Sequence, residues 1–199
     1  MSVADPDREA KRAQAKAAHA NLTKWRLPAD FAARVDELNR NVPSHELLRS
    51  PNFNFLTEAL ALAEFLKLHP VEEVRLADLN AQHPDAYVRI GGEVIELEIT
   101  EALNIGRRRG EEYHEDAPKL VHVSQEEMIA YRKEIEPAIT AAIEKKLNGG
   151  NDRAFLLVYV ELQIHFELTP DEEALVTTIK QRYRPKFREI HVVCKGRLY

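Results

Sequence analysis

The sequence predicts an α/β domain, a mixed sheet flanked by helices, on three observations. Asp85 to Ile90 and Glu93 to Thr100 alternate apolar and polar residues about Gly91-Gly92. This is the pattern of a β-hairpin closed by two residues that readily take positive φ. Ala154 to Leu162, AFLLVYVEL, is a continuous apolar run of strand length, as expected of a strand covered on both faces. Around these segments lie helix starts and runs of helical spacing. The 199 residues fit one domain, and 44% hydrophobic with 31% charged residues supports a packed core rather than disorder.

Taken in order, residues 5 to 20 are rich in Ala, Lys, Arg and Glu with little apolar periodicity, which predicts a solvated helical arm. Pro28 to Asn39 reads as a short helix with Phe31, Val35 and Leu38 on one stripe. Residues 1–45 are therefore read as an N-terminal helical arm and 46–199 as the α/β domain. Ser50-Pro51 is a helix start, and the helix runs to about Leu68, before Pro70, apolar nearly all round and carrying Glu58 and Glu64. Val71 to Leu79 fits strand or helix. Residues 101 to 123 have no period and predict a long surface loop. Ser124 with Glu127 predicts a capping box, and the helix it opens reaches Leu147, kinked or split by Pro137. Thr169-Pro170-Asp171-Glu172 opens a helix to about Tyr183, and Glu189 to Cys194 is a last strand.

Several function classes fall away. No run approaches the roughly 18 apolar residues needed to cross a bilayer, and MSVADPDREAKRAQ lacks the apolar centre of a secretory signal. The expectation is a cytoplasmic protein without membrane association. The net charge of −5 argues against a protein that coats nucleic acid, leaving such contacts to local clusters such as Arg107, Arg108 and Arg109. Cys194, the only cysteine, excludes an intrachain disulfide and a thiolate cluster, and its apolar run marks it as a small buried hydrophobe. Oligomeric state has no signature here.

The hairpin carries the chemistry. With Gly91-Gly92 as the turn, Tyr87 faces Glu96 and Asp85 faces Glu98. Alternation puts Ala86, Val88, Ile90, Ile95, Leu97 and Ile99 on the core face and Asp85, Tyr87, Glu96, Glu98 and Thr100 on the other. Opposed carboxylates sit roughly 5 Å apart and repel unless a cation or a shared proton intervenes. Hard oxygen ligands at this spacing suit Mg2+ or Mn2+, which polarises a phosphoryl oxygen and acidifies a bound water. An ordinary wet face of acids is the competing explanation, and the scarcity of cations among the cross-strand partners speaks against it.

The order of elements, with Pro84-Asp85 and the Glu98-Ile99-Thr100 tripeptide, resembles the PD-(D/E)XK nuclease-like superfamily, the restriction endonuclease-like fold with its αβββαβ core. In that alignment the helix at 124–147 is an insertion. The resemblance implies a metal-dependent nuclease that hydrolyses phosphodiester bonds of DNA. It makes Asp85 and Glu98 the ligands of Mg2+ or Mn2+, with Glu58 assisting and Glu64 in reserve. Thr100 stands where the motif has its lysine. The alternative frame Glu96-Leu97-Glu98 makes Glu96 a ligand and Glu98 the water-contacting acid. The absent lysine leaves open a non-catalytic member of the fold that acts as a binding or scaffolding module. Lys119, Lys145 and Lys146 are candidates to replace it, although the last two are read first as cations complementing a helix dipole. His114 and His122 do not have helical zinc-ligand spacing and read as surface residues.

Overall fold

The computed structural model describes residues 6–42, 53–79, 81, 83–104, 124–147, 154–162, 164 and 167–199. The fold is mixed α/β. Helices α1 (Pro6–Leu22), α2 (Pro28–Asn41) and α3 (Asn54–Leu68) precede strands β1 (Glu73–Leu76), β2 (Ala86–Ile90) and β3 (Glu93–Ala102). Then come α4 (Gln125–Lys133), α5 (Ile135–Leu147), β4 (Phe155–Val160), α6 (Pro170–Tyr183), β5 (Glu189–Cys194) and β6 (Arg197–Leu198). The strands form one six-stranded sheet in sequence order. β1, β2 and β3 are an antiparallel meander, β3, β4 and β5 are parallel, and β6 is antiparallel to β5.

Parallel strands need a crossover on one face of the sheet. Here α4 and α5 cross from β3 to β4, and α6 from β4 to β5. The helix pair at 124–147 is thus the connection that makes β4 parallel to β3, not an insertion, because β1 supplies the third strand of the meander. Val71 to Leu79, ambiguous by period, contains that strand, paired with β2 in the register Val74↔Val88 and Leu76↔Ala86. Helices pack on both faces of the sheet. α1, α2 and α3 pack with Val74, Val88, Leu97, Ile99 and Leu157, and the crossover helices pack with Leu156, Val158, Val160, Ile190 and Val192 on the other side.

This layering explains the apolar circumference of α3, which is wedged between the sheet and α1 and α2. Phe65, Leu62 and Leu56 are essentially without exposure. The arm takes part in the same core. Ala15 and Leu22 of α1 and Phe31 and Val35 of α2 are buried in the cluster that holds Leu97, so α1 is solvated only on its outer face. The Ser50-Pro51 start and the segment with Arg107 to Arg109, His114, Lys119 and His122 lie outside the described residues.

Local signals place several boundaries. Ser124 and Glu127 form a reciprocal capping box, as do Thr169 and Glu172. The 124–147 helix divides at Glu134, so that Pro137 falls in the first turn of α5, where its missing N–H would have no intrahelical partner anyway. Gly91 and Gly92 have φ of 59° and 78°, a turn whose twist matches the strands it joins, and the register Tyr87↔Glu96 is the one its two residues dictate. No helix among the described residues is long and apolar enough to cross a membrane.

Nothing lies within 4 Å of a side chain built at Gly91, so a substitution there meets only the conformational penalty of positive φ. Gly91→Asn should be nearly neutral, whereas Gly91→Val should lower unfolding free energy by about 1–2 kcal/mol in a urea titration. Equal effects would show that the turn does not need left-handed backbone.

Candidate functional site

β2 and β3 part company at the Ala86–Leu97 rung, while β3 continues along β4 to Ala102. At this fork the Asp85 side chain takes the place of the missing rung: its Oδ2 accepts a hydrogen bond from the Ile99 N–H at 2.7 Å. Asp85 is thereby fixed beside Glu98, where the hairpin register predicts it.

The crossover then returns the chain to Phe155, which pairs with Leu97. The last turn of α5 is carried back to the level of Glu98 on the face the alternation assigns to the acids. Lys146 Nζ donates to Asp85 Oδ2 at 2.5 Å and to Glu98 Oε2 at 2.7 Å. Glu98 Oε1 lies 3.2 Å from His83 Nδ1. The cation required between the opposed carboxylates is therefore one of the chain's own ammonium groups. The helix-dipole explanation of Lys146 gives way to this bridge. Exposed Lys145, one position earlier, lines an adjoining cavity together with Lys146.

At Glu98 and Thr100 the acid face is not a wet face. Glu98 is 1% exposed and Thr100 6%, because α5 packs over this part of β3. Burial raises the pKa of Glu98, and Asp85 adds to the rise, while Lys146 and His83 pull the other way. For Lys146 burial opposes the charge, but Asp85 and Glu98 together outweigh it and hold the ammonium above its ordinary range. Each charge is tolerable here only with the others present.

Glu58, one turn into α3, reaches the same fork from the opposite layer. It lines a cavity of about 570 Å³ with Asn54, Thr57, His83, Thr100 and Lys146. It also joins Asp85 in the wall of a neighbouring cavity of about 280 Å³, together with His19 and Asp78. Its pKa is pushed up to about 7, first by burial and then by Asp85, with Lys146 opposing. The structure thus brings Asp85, Glu98 and Glu58 together. Thr100 lies in the cavity wall without charge, Glu96 is exposed on the hairpin outside that wall, and Glu64 pairs with Lys67 at 2.6 Å. His83 was not singled out from the sequence, although it directly precedes Pro84-Asp85. Cys194 is buried, and burial pushes its thiol up to about 11, far from a nucleophile's range.

As metal ligands the donors are hard oxygens: the carboxylates of Asp85 and Glu98, with Glu58 in the adjoining wall. Among the described residues no three His, Cys, Asp or Glu side chains are arranged to hold an ion. A pair of carboxylates is nevertheless the number Mg2+ commonly takes from a protein. Compared with family models, curated proteins and solved structures, the chain matches none.

Removing one member of a buried ion cluster strands the rest, so Lys146→Met should lower unfolding free energy by about 3–5 kcal/mol. Adding Glu98→Gln should recover a large part of the loss, and a single-variant effect below about 0.5 kcal/mol would show that the bridge is not what neutralises the acids. Glu58 gives a pH test. With a folded pKa near 7 against an ordinary 4.5, the unfolded chain releases this proton first, so stability falls as pH rises from about 4.5 to 7. The fall is at most on the order of 3 kcal/mol. Glu58→Gln, which does not titrate, should have a higher Tm than wild type at pH 8 and no such advantage at pH 4.5. A pH-independent difference would contradict the assigned environment.

Proposed function

We propose that the chain is a metal-dependent nuclease of restriction endonuclease-like fold that hydrolyses phosphodiester bonds of DNA. The observation that carries this reading is the convergence of Asp85 and Glu98 from the hairpin with Lys146 from the crossover helix, beside Glu58 and an open cavity. The order α3, β1, β2, β3, α5, β4 supports it, since it runs α-β-β-β-α-β. The weakness of the motif was Thr100 in the lysine position. Lys146 supplies that charge from another element, with its Nζ 2.7 Å from Glu98 Oε2.

In this reading Asp85 and Glu98 would hold Mg2+ or Mn2+, with Glu58 assisting from the cavity wall. The ion when bound lowers the pKa of a coordinated water and polarises the phosphoryl oxygen. The chain's own part is positioning. Ile99 N–H fixes Asp85 Oδ2, His83 Nδ1 steadies Glu98 Oε1, and α5 covers the buried carboxylate. Lys146 offers a cation to the attacking water or to the phosphate oxygens, the role a motif lysine fills. A second reading, a non-catalytic module, draws on the same bridge: Lys146 already neutralises both carboxylates and can serve as a purely structural cation.

Metal titration separates the two readings. In the nuclease, Mg2+ or Mn2+ should raise the Tm of wild type but hardly that of Asp85→Asn. Lys146→Ala should keep a metal-dependent shift while cleavage of labelled DNA falls by at least about a hundredfold. A wild type that cuts neither single nor double strands across several metals, with equal shifts in Asp85→Asn, would establish the non-catalytic module.

A further inference from the structure

The face of the sheet that carries Asp85 is covered by α5 over β3 and β4 but stays half-exposed over β1 and β2. There it holds a ladder of arginines and aromatic rings. The guanidinium of Arg75 lies 4.2 Å from the ring centre of Tyr87, its partner across the β1–β2 ladder, and 5.3 Å from that of Trp25. Arg89 lies 5.1 Å from the same indole. Trp25 is held at the sheet edge by its neighbour Arg26, which exchanges backbone hydrogen bonds with Val74 at 3.0 and 2.9 Å.

An arginine kept for structure normally ends on a carboxylate or a carbonyl. Arg89 does so with one edge, at 2.9 Å from Glu73. Arg75 does not: its Nε is buried without a hydrogen-bond partner, and among the described residues its guanidinium is held by rings alone.

We infer that the Trp25–Arg75–Tyr87–Arg89 face binds single-stranded nucleic acid and leads it to the fork. Guanidinium edges would meet phosphates and the rings would stack on unpaired bases. The charge pattern favours this occupant over a generic polyanion. Glu73 and Glu96 share the face, so it is not uniformly positive, and an occupant without π-faces has little to gain. A duplex hides its bases from stacking. The path is also continuous with the proposed active site, since Tyr87 follows Asp85 by two positions on one face. The inference rests on the nuclease reading for the direction of the strand, while binding itself does not require chemistry.

Trp25 is the only tryptophan, so its fluorescence reports on this face alone. The full chain, in EDTA to prevent cleavage, is titrated with a short oligothymidylate. Saturable quenching is expected, weakened at least about fivefold by Arg75→Gln and by Tyr87→Leu. For Arg75→Gln the slope of log Kd against log salt should shrink by about 0.7. Should either variant fail to fold, heparin and duplex DNA as competitors of the wild type decide, because both must compete poorly. Absence of quenching, or equal competition by heparin or duplex, overturns the inference. Quenching without cleavage in Mg2+ sustains it while the nuclease reading fails. Cleavage by a chain whose Trp25 is silent, and whose Arg75→Gln variant cuts at the wild-type rate, sustains the nuclease and removes this surface.

Discussion

Two carboxylates stand opposed in the interior of this fold, and one lysine from a distant helix makes that tolerable. Glu98 is 1% exposed, and Lys146 reaches both it and Asp85 within hydrogen-bond distance. Much of the architecture serves this contact. The hairpin turn sets Asp85 against Glu98, and the fork lets the Asp85 carboxylate cap the Ile99 N–H. The parallel crossover carries Lys146 back to the level of both. A change in the length or handedness of any of these would leave a buried charge without a partner, which is far more damaging than losing a surface ion pair.

The cavity beside the bridge has a different balance. Glu58 faces it with its proton held to about pH 7 by burial and by Asp85. Lys145 and Lys146 line the same space. The site therefore offers acids and amines across one cavity, whose wall also includes the apolar Ile99 and Leu103.

What could be read from the sequence followed the range of the interaction. The hairpin register is local, fixed by paired glycines and strict alternation, and Tyr87↔Glu96 emerges from spacing alone. The capping boxes at Ser124 and Thr169 are local as well. The α/β class followed from the same signals. The burial of Glu98 was not legible, because alternation distinguishes two faces without saying whether a helix covers the second. Lys146 lies 48 residues from Glu98 and 61 from Asp85, and nothing in its immediate neighbours tells a bridging lysine from one that merely follows a helix dipole. β1 escaped because Glu73 to Leu76 is too short for a period, and β6 because it is shorter still.

That separation along the chain has a kinetic side. The β1–β3 meander can close through contacts between neighbours, whereas the Lys146 bridge requires the whole crossover to dock, and long closures are slow to form. Until then Glu98 has neither the ammonium beside it nor the helix over it, and it stays ionised in water. Assembly of the acid fork should therefore be a late event that takes up protons, because burial raises the pKa of Glu98 and pushes that of Glu58 up to about 7. A refolding trace in weak buffer with a pH dye would reveal it as proton uptake lagging behind hairpin protection.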